Sequence, residues 1–160
     1  MLTPVKNKTI RASGTFAIVA SKYNARYVDA MLRAAKKALA DAGAKVRIVR
    51  VPGAYEIPVV VARLARQSED EPLSAIICLG VILRGETVHA AHIGEAVSHA
   101  LMRIQTAHEI PVIHEVLLLE NKGQAEQRCL DKHHNRGTEA AQTALEMAQV
   151  MQGLGREELS

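Results

Sequence analysis

The chain has 160 residues, 48% of them hydrophobic, which is enough for one domain with its own core and no need of disulfides. Its 20 Lys and Arg against 17 Asp and Glu leave a formal charge of +3, too small and too evenly spread to indicate nucleic-acid binding, and one Phe with three Tyr argue against a base-stacking surface. The polar N-terminus shows no signal peptide, no apolar run approaches the roughly 20 residues of a membrane span, and two unpaired cysteines fit a reducing compartment, so we expect a cytoplasmic protein.

Residues 1–14 are polar and basic and predict a flexible arm, followed by a single domain over residues 15–153. Beyond the arm, apolar runs typical of buried strands alternate with segments in which apolar residues recur at helical spacing. The predicted elements are, in chain order, strand 16–20, helix 26–42, strand 45–51, helix 56–67, strand 73–79, helix 88–108, strand 111–119, helix 121–130 and helix 137–151.

Strands that alternate with helices indicate a parallel sheet with right-handed crossovers and helices on both faces. Ligands of such folds bind beyond the carboxyl ends of the strands. The unusual segments of this chain all lie at predicted strand ends, which are residues 21–24, 51–56, 80–89 and 114–119. The sequence therefore predicts an α/β fold with a ligand site at this edge of the sheet.

Residues 80–89, Gly-Val-Ile-Leu-Arg-Gly-Glu-Thr-Val-His, connect the third predicted strand to the third predicted helix. Backbone amides at a helix N-terminus attract an anion, Arg84 adds positive charge, and His89 belongs to the residue type that moves protons near neutral pH. The loop has neither the P-loop spacing nor the Gly-x-Gly-x-x-Gly of dinucleotide sites. It predicts an enzyme acting on a small phosphorylated substrate, although a solvated turn capped by Thr87 fits the same residues.

Two other strand ends carry candidate binding residues. Pro52-Gly53 makes a tight turn, after which Ala54 lets a ligand approach the backbone. Glu56 either interacts favourably with a helix dipole or accepts hydrogen bonds from ligand hydroxyls. Tyr23 either packs at the rim of the sheet or stacks on a flat heterocycle, and the residues alone leave both alternatives open.

Three motifs occur in a fixed order, namely Tyr23-Asn24, Pro-Gly-Ala-x-Glu-Ile-Pro at 52–58 and Gly-x-x-x-Arg-Gly-Glu-Thr-x-His at 80–89. Together they resemble the lumazine synthase family of riboflavin biosynthesis. The resemblance covers roughly residues 14–152 at near-constant spacing, and it continues through Glu120-Asn121, Gln124-Ala125, Arg128 and residues 135–141. It implies a flavodoxin-like three-layer sandwich, with a four-stranded parallel sheet and helices on both faces.

The resemblance also implies a reaction. Lumazine synthases are transferases that condense 5-amino-6-(D-ribitylamino)uracil with 3,4-dihydroxy-2-butanone 4-phosphate to 6,7-dimethyl-8-ribityllumazine. The amine forms an imine with the ketone, phosphate is eliminated, and the ring closes with loss of water. Positioning and proton transfer suffice for these steps, so the resemblance implies no metal and no redox cofactor.

Matching motif positions imply a role for each site residue, with His89 as the proton-transfer residue. The residues implied to hold the pyrimidine and ribityl chain are Tyr23, Asn24, Ala54, Tyr55, Glu56, Val81, Ile82, Leu83 and, from the neighbouring subunit, His114. Those implied to hold the phosphate are Gly85, Glu86, Thr87 and, from the neighbouring subunit, Arg128, with Lys132 and Arg136 as further candidates.

The chain departs from the family pattern at three places. Ala90-Ala91 stand where the family has an aromatic residue and an acid after its catalytic histidine, and His114 stands where an apolar or aromatic residue is common. Residues 131–136 replace a glycine-containing, Lys-rich link. These departures keep an alternative open, a catalytically weakened homologue that binds lumazine or flavin as a carrier or shell protein. A flavodoxin-like signalling module fits less well, because no paired acids follow the first strand.

The resemblance implies assembly as well. Family members form pentamers with active sites between adjacent subunits, and many close into 60-subunit icosahedral shells. We therefore expect at least a pentamer here, with a shell favoured and riboflavin synthase as a candidate partner, and neither nucleic acid nor membrane. Four further histidines, His92, His99, His133 and His134, form no metal-ligand spacing and predict surface or interface positions.

Overall fold

Four strands alternate with five helices in the described part of the chain. The computed structural model describes residues 2–6 and 10–157, so part of the arm predicted over residues 1–14 lies outside the described residues. The elements are β1 (Thr15–Ser21), α1 (Ala25–Asp41), β2 (Lys45–Val51), a 3-10 turn (Ala54–Glu56), α2 (Ile57–Gln67), β3 (Ala75–Leu83), α3 (His89–His108), β4 (Val112–Leu119), α4 (Lys122–Cys129) and α5 (Arg136–Glu157).

The strands form one sheet in the order β2-β1-β3-β4, and every neighbouring pair is parallel. The two central strands are covered on both faces, which explains why β1 and the first part of β3 read as continuous apolar runs. The predicted α/β fold with a four-stranded parallel sheet is confirmed.

Helices cover the two faces of the sheet unequally, and each face has its own core. The α5 face is packed by α1, α4 and α5, and its core includes Phe16, Ile18 and Met31. The α3 face is packed by α2 and α3, and its core includes Val19 and Ile57. Successive side chains of a strand point to opposite faces, so β1 contributes alternately to both cores.

The predicted boundaries are closely matched except at two elements. The predicted strand 73–79 extends in the structure to Leu83, because residues Gly80–Leu83 pair with residues Val116–Leu119 of β4. The prediction that a loop begins at Gly80 is therefore wrong, and the loop is confined to residues 84–88. Helix α5 also continues past residue 151, to Glu157.

The described residues of the arm have no assigned helix or strand, but several of them contact the domain. Val5 N–H donates to the His133 carbonyl, and Ala12 N–H donates to the Ala42 carbonyl, both at 2.8 Å. No helix among residues 2–6 and 10–157 combines the length and the apolar character that crossing a membrane requires.

Candidate active site

The loops after β1 and β2 and the end of strand β3 are joined by hydrogen bonds. Tyr23 N–H donates to the Pro52 carbonyl at 3.0 Å, and Asn24 Nδ2 donates to the Val81 carbonyl at 2.7 Å. Parallel strands end at the same edge of a sheet, which is why segments distant in sequence meet here. The structure thus brings together candidate site residues from the first three strand ends.

Tyr23 presents its ring to solvent on a fixed backbone. The side chain is 74% exposed, so it does not pack into the rim of the sheet. Asn24 has a φ of 56°, in the left-handed region that Asn tolerates better than most residues, and its bond to Val81 holds this conformation. An exposed ring on a constrained backbone is suited to stacking on a flat ligand.

Arg50 supports the end of β1, although the sequence motifs do not include it. Its Nε donates to the Ala20 carbonyl at 3.2 Å, and its Nη2 donates to the Ser21 carbonyl at 3.0 Å and to Asp29 at 2.8 Å. This fork binds the last two carbonyl groups of β1, just before the loop that carries Tyr23. An arginine close to the carboxyl end of β2 is the sequence signal that could have identified it.

The turn after β2 holds Glu56 in a defined position. Gly53 N–H donates to Glu56 Oε2 at 3.0 Å, and Ala54–Glu56 form the 3-10 turn that leads into α2. Glu56 and Tyr55 are both exposed, and Ala54 is half-buried. One carboxylate oxygen of Glu56 serves the turn, and a carboxylate retains further acceptor capacity for ligand hydroxyls.

The end of β3 contributes backbone rather than polar side chains. Val81 is buried and its carbonyl is occupied by Asn24, whereas Ile82 and Leu83 are half-buried. Their pairing with β4 places them on a rigid strand instead of the predicted loop. Residues 81–83, which are predicted to contact the pyrimidine, therefore have a backbone that is fixed by the sheet.

The loop between β3 and α3 is open to solvent. Gly85, Glu86 and Thr87 are exposed, and a Cβ placed on Gly85 would meet no atom within 4 Å. Arg84 does not stand alone, because its Nη1 lies 3.0 Å from Glu120, an exposed residue after β4. The loop presents the helix start suited to an anion, while the charge of Arg84 is shared with a carboxylate.

His89 begins α3 and faces a shared cavity. The cavity measures about 350 Å³ and is lined by Tyr55, His89, His92, Ile93 and Ala96. Its lining is mostly apolar, with a phenol and two imidazoles as the groups that can exchange protons. The structure therefore joins the loop after β2 to the predicted proton-transfer residue.

His114 lies near the start of β4, not at the end of the strand where the sequence pattern placed it. Val116 N–H donates to its Nδ1 at 3.3 Å, which leaves Nε2 to donate to Ser98 Oγ at 2.7 Å. Ser98 in turn donates to the Gly94 carbonyl at 2.8 Å. Partial burial lowers the pKa of His114, in keeping with a neutral ring held on the α3 face.

Arg128, Lys132 and Arg136 belong to the opposite face of the sheet. Arg128 is half-buried on α4, and its Nη1 donates to the Gln124 carbonyl at 3.5 Å. Lys132 is exposed in the link between α4 and α5. Because α4 packs on the α5 face and His89 lies on the α3 face, Arg128 does not line the cavity that His89 faces.

Arg136 is bound within its own chain. Its Nε and Nη2 donate to the two carboxylate oxygens of Glu115 at 3.2 and 3.3 Å, and its Nη1 donates to Glu139 at 2.9 Å. Burial raises the pKa of Glu115 to about 7, against the opposite effect of Arg136. The sequence motifs do not include Glu115, and a charged residue within an apolar strand is the signal that marks it.

The two cysteines are packing residues. Cys78 and Cys129 are buried and unpaired, and burial raises the pKa of both thiols, to about 12 for Cys129. A thiol held protonated is a poor nucleophile and a poor metal ligand. Across the described residues, no group of three or more His, Cys, Asp or Glu is arranged to hold a metal ion.

Fold and site together define an α/β class, in which a parallel sheet presents an exposed loop, a turn that holds Glu56 and an exposed histidine at one edge. The model of the 6,7-dimethyl-8-ribityllumazine synthase family matches residues 13–152. The chain belongs to this family, as its motifs predicted.

Proteins similar to this chain bear the name of the family. A 6,7-dimethyl-8-ribityllumazine synthase of Stenotrophomonas maltophilia (strain R551-3) is 41% identical over 145 residues, which cover 89% of this chain and 92% of that protein. One from Xanthomonas oryzae pv. oryzae (strain PXO99A) is 39% identical, covering 86% and 89%. A solved sigma-54 interaction domain protein from Enterococcus faecalis aligns over 94% and 98% of the two chains with a TM-score of only 0.32 and 6% identity, so no conclusion follows from it.

Proposed function

We propose that this protein condenses 5-amino-6-(D-ribitylamino)uracil with 3,4-dihydroxy-2-butanone 4-phosphate to 6,7-dimethyl-8-ribityllumazine, with release of phosphate and water. The observation that carries the proposal is membership of the lumazine synthase family over nearly the whole domain. Nothing in the comparisons favours the alternative of a carrier or shell protein without turnover.

The pyrimidine and its ribityl chain bind where the loops after β1 and β2 join the end of β3. The exposed ring of Tyr23 stacks on the heterocycle, with Asn24 fixing its backbone. Glu56 accepts ribityl hydroxyls through the carboxylate capacity that Gly53 leaves unused. Ala54, Tyr55 and the backbone of residues 81–83 complete this half of the site.

The phosphate binds at the open loop before α3. The backbone amides of residues 85–87 form an anion site at the helix start, and Arg128 supplies a full positive charge. Lys132 remains a further candidate, whereas Arg136 is already engaged by Glu115 and Glu139. His89, next to the loop, transfers protons as the imine forms and phosphate departs.

The site is completed between two copies of the chain. Arg128 and His89 lie on opposite faces of one sheet, so a single phosphate reaches both only if the second residue comes from another subunit. His114, on the edge strand β4, closes the pyrimidine pocket of the neighbour in the same way. A cyclic assembly satisfies this head-to-tail arrangement, and we propose a homopentamer, with a 60-subunit shell favoured.

The protein works in the cytoplasm, where free thiols such as the two buried cysteines stay reduced. Riboflavin synthase, the enzyme that uses lumazine, is the partner a shell would enclose. The arm of residues 1–14 and the single domain of residues 15–153 remain the domain division we propose.

The decisive experiment mixes the purified protein with both substrates and follows lumazine fluorescence against the uncatalysed rate. The proposal expects saturable acceleration and stoichiometric phosphate release. Tight binding of a ribityl-lumazine analogue without any acceleration would instead establish the carrier function. Sedimentation of the same sample measures whether the active species is a pentamer or a shell.

A further inference from the structure

Helix α3 presents two histidines to one cavity. His89 and His92 are three positions apart, so they lie on the same side of the helix, with Cβ atoms about 5–6 Å apart. Both line the cavity of about 350 Å³ together with Tyr55. The proposed function uses His89 and leaves His92 without a role.

Neither imidazole is committed to a structural contact. Both side chains are exposed, and among the side chains that the structure describes neither ring has a hydrogen-bond or ion-pair partner. His114, by contrast, has both ring nitrogens engaged. His89 and His92 are therefore free to meet a ligand that enters the cavity.

The first turn of α3 provides no other group for proton transfer. It contains no acidic residue, and the two positions between the histidines are Ala90, which is buried, and Ala91. Within this turn, which the structure describes in full, His92 is the one titratable side chain besides His89. Any partner that His89 requires on its own helix turn has to be His92.

The condensation moves more than one proton. When the imine forms, both N–H protons of the amine leave with the ketone oxygen as water. When phosphate is eliminated, a C–H proton is removed as the C–O bond breaks, and it departs with the phosphate; ring closure then expels a second water. One imidazole holds a single transferable proton at a time and must be reloaded between these steps.

We propose that His92 is a second proton-transfer residue of this reaction, facing the reacting atoms beside His89. The inference rests on the proposed function, and it assigns the two imidazoles complementary states, one accepting a proton while the other donates. Histidine suits this exchange because its ordinary pKa lies near neutral pH.

The test compares His92→Gln with His99→Gln, a matched exposed histidine on the same helix outside the cavity. Wild-type acceleration over the spontaneous rate is measured first, since its absence would defeat the proposed function itself. We expect His92→Gln to lower kcat about 10-fold, less than the roughly 10²–10⁴-fold of a full general acid–base effect because His89 remains, with the KM for both substrates within about two-fold. His99→Gln should retain the wild-type kcat.

A second readout separates chemistry from structure. Added imidazole should restore several-fold activity to His92→Ala, because the cavity can admit the free base, and should leave His99→Ala unchanged. A wild-type kcat in both His92 variants would overturn the proposal. So would a loss of kcat that accompanies a changed assembly size and does not respond to imidazole.

Discussion

The two faces of the sheet carry different halves of the candidate site and are built differently. On the α3 face, Tyr55, His89 and His92 line an open cavity and their side chains are exposed. On the α5 face, Arg136 is held by two carboxylates, and Asn135 binds the Cys129 carbonyl and the Gly137 N–H at 2.7 and 2.8 Å. The cavity side chains on the α3 face are open to a ligand, whereas Asn135 and Arg136 on the α5 face already bind partners within the chain.

The difference supports the proposal that each site is completed between two copies of the chain. Helix α4, which carries Arg128, packs on one face of the sheet, and helix α3, which carries His89, packs on the other. In the proposed assembly, a second copy supplies Arg128 without any rearrangement of either core. The cation then comes from a rigid support, as precise positioning requires.

The largest expected effect comes from removing the positive charge at each of two candidate positions on the α5 face, Arg128 and Arg136. Arg128→Ala should raise the KM for the phosphorylated substrate about 10–100-fold, the effect of losing a charge-assisted hydrogen bond, with little change in the KM for the pyrimidine. Arg136→Ala should leave both KM values near wild type and lower the thermal stability, since it strands the buried carboxylate of Glu115. Steady-state kinetics with each substrate varied in turn provides the measurement, and equal effects of Arg128→Ala on both substrates would remove its phosphate role.

Mixing subunits tests whether the two faces cooperate across an interface. His89→Ala and Arg128→Ala are each refolded alone and then together in equal amounts. If the site lies between copies, about a quarter of the sites in the mixture pair an intact His89 with an intact Arg128 by random assembly. Activity at a low concentration of the phosphorylated substrate should then exceed that of both parents several-fold. A mixture no better than the mean of its parents would place both residues within one chain.

Substitutions at Asn24 test how the loop after β1 is held against β3. Asn24→Ala should destabilise the fold by about 1–2 kcal/mol and weaken pyrimidine binding, because it loses both the bond to Val81 and a residue suited to positive φ. Asn24→Gly keeps the backbone conformation and should lose only the hydrogen bond, so it separates the two contributions. Chemical denaturation and titration with a lumazine analogue measure both effects, and identical stability of the two variants would argue against strain at this position.

A further expected effect lies in the pH dependence of stability on the α5 face. The pKa of Glu115 is raised by burial to about 7, above the 4.5 of an ordinary Glu. Its contribution to stability is therefore fully present below about pH 4.5 and is lost as the pH rises toward 7. Glu115→Gln should remove this dependence, so the variant should lose less stability than wild type between pH 5 and 8. Parallel denaturation curves for the two proteins across this range would contradict the assignment.

Most of the fold could be predicted because its signals are local. The helical spacing of α1 and the continuous apolar run of β3 depend on neighbours along the chain, and both elements were placed within a few residues. The error at Gly80 arose because a glycine usually ends an apolar run. In the protein, pairing with Val116 on β4 keeps the strand intact, and that partner is distant in sequence.

The candidate site could be predicted as a set of residues, because the motifs follow one another at family spacing. The contacts that support those residues could not be predicted from the motifs. Arg50 binds carbonyls of β1 from the neighbouring strand β2, and Glu115 meets Arg136 only because β4 turns alternate residues to opposite faces. Such pairings depend on strand order and facing, which motif spacing does not contain.

By itself the sequence determined the family, through motif order, and the α/β class, through periodicity, and it predicted candidate site residues at the strand ends. Only the tertiary structure decided which of those residues lie on each face of the sheet. It placed His89 beside Tyr55 and His92 on the α3 face, and it put Arg128 on the α5 face. The physical reason is that a helix pattern specifies which side of the helix is buried, whereas the crossover of the chain decides which face of the sheet buries it.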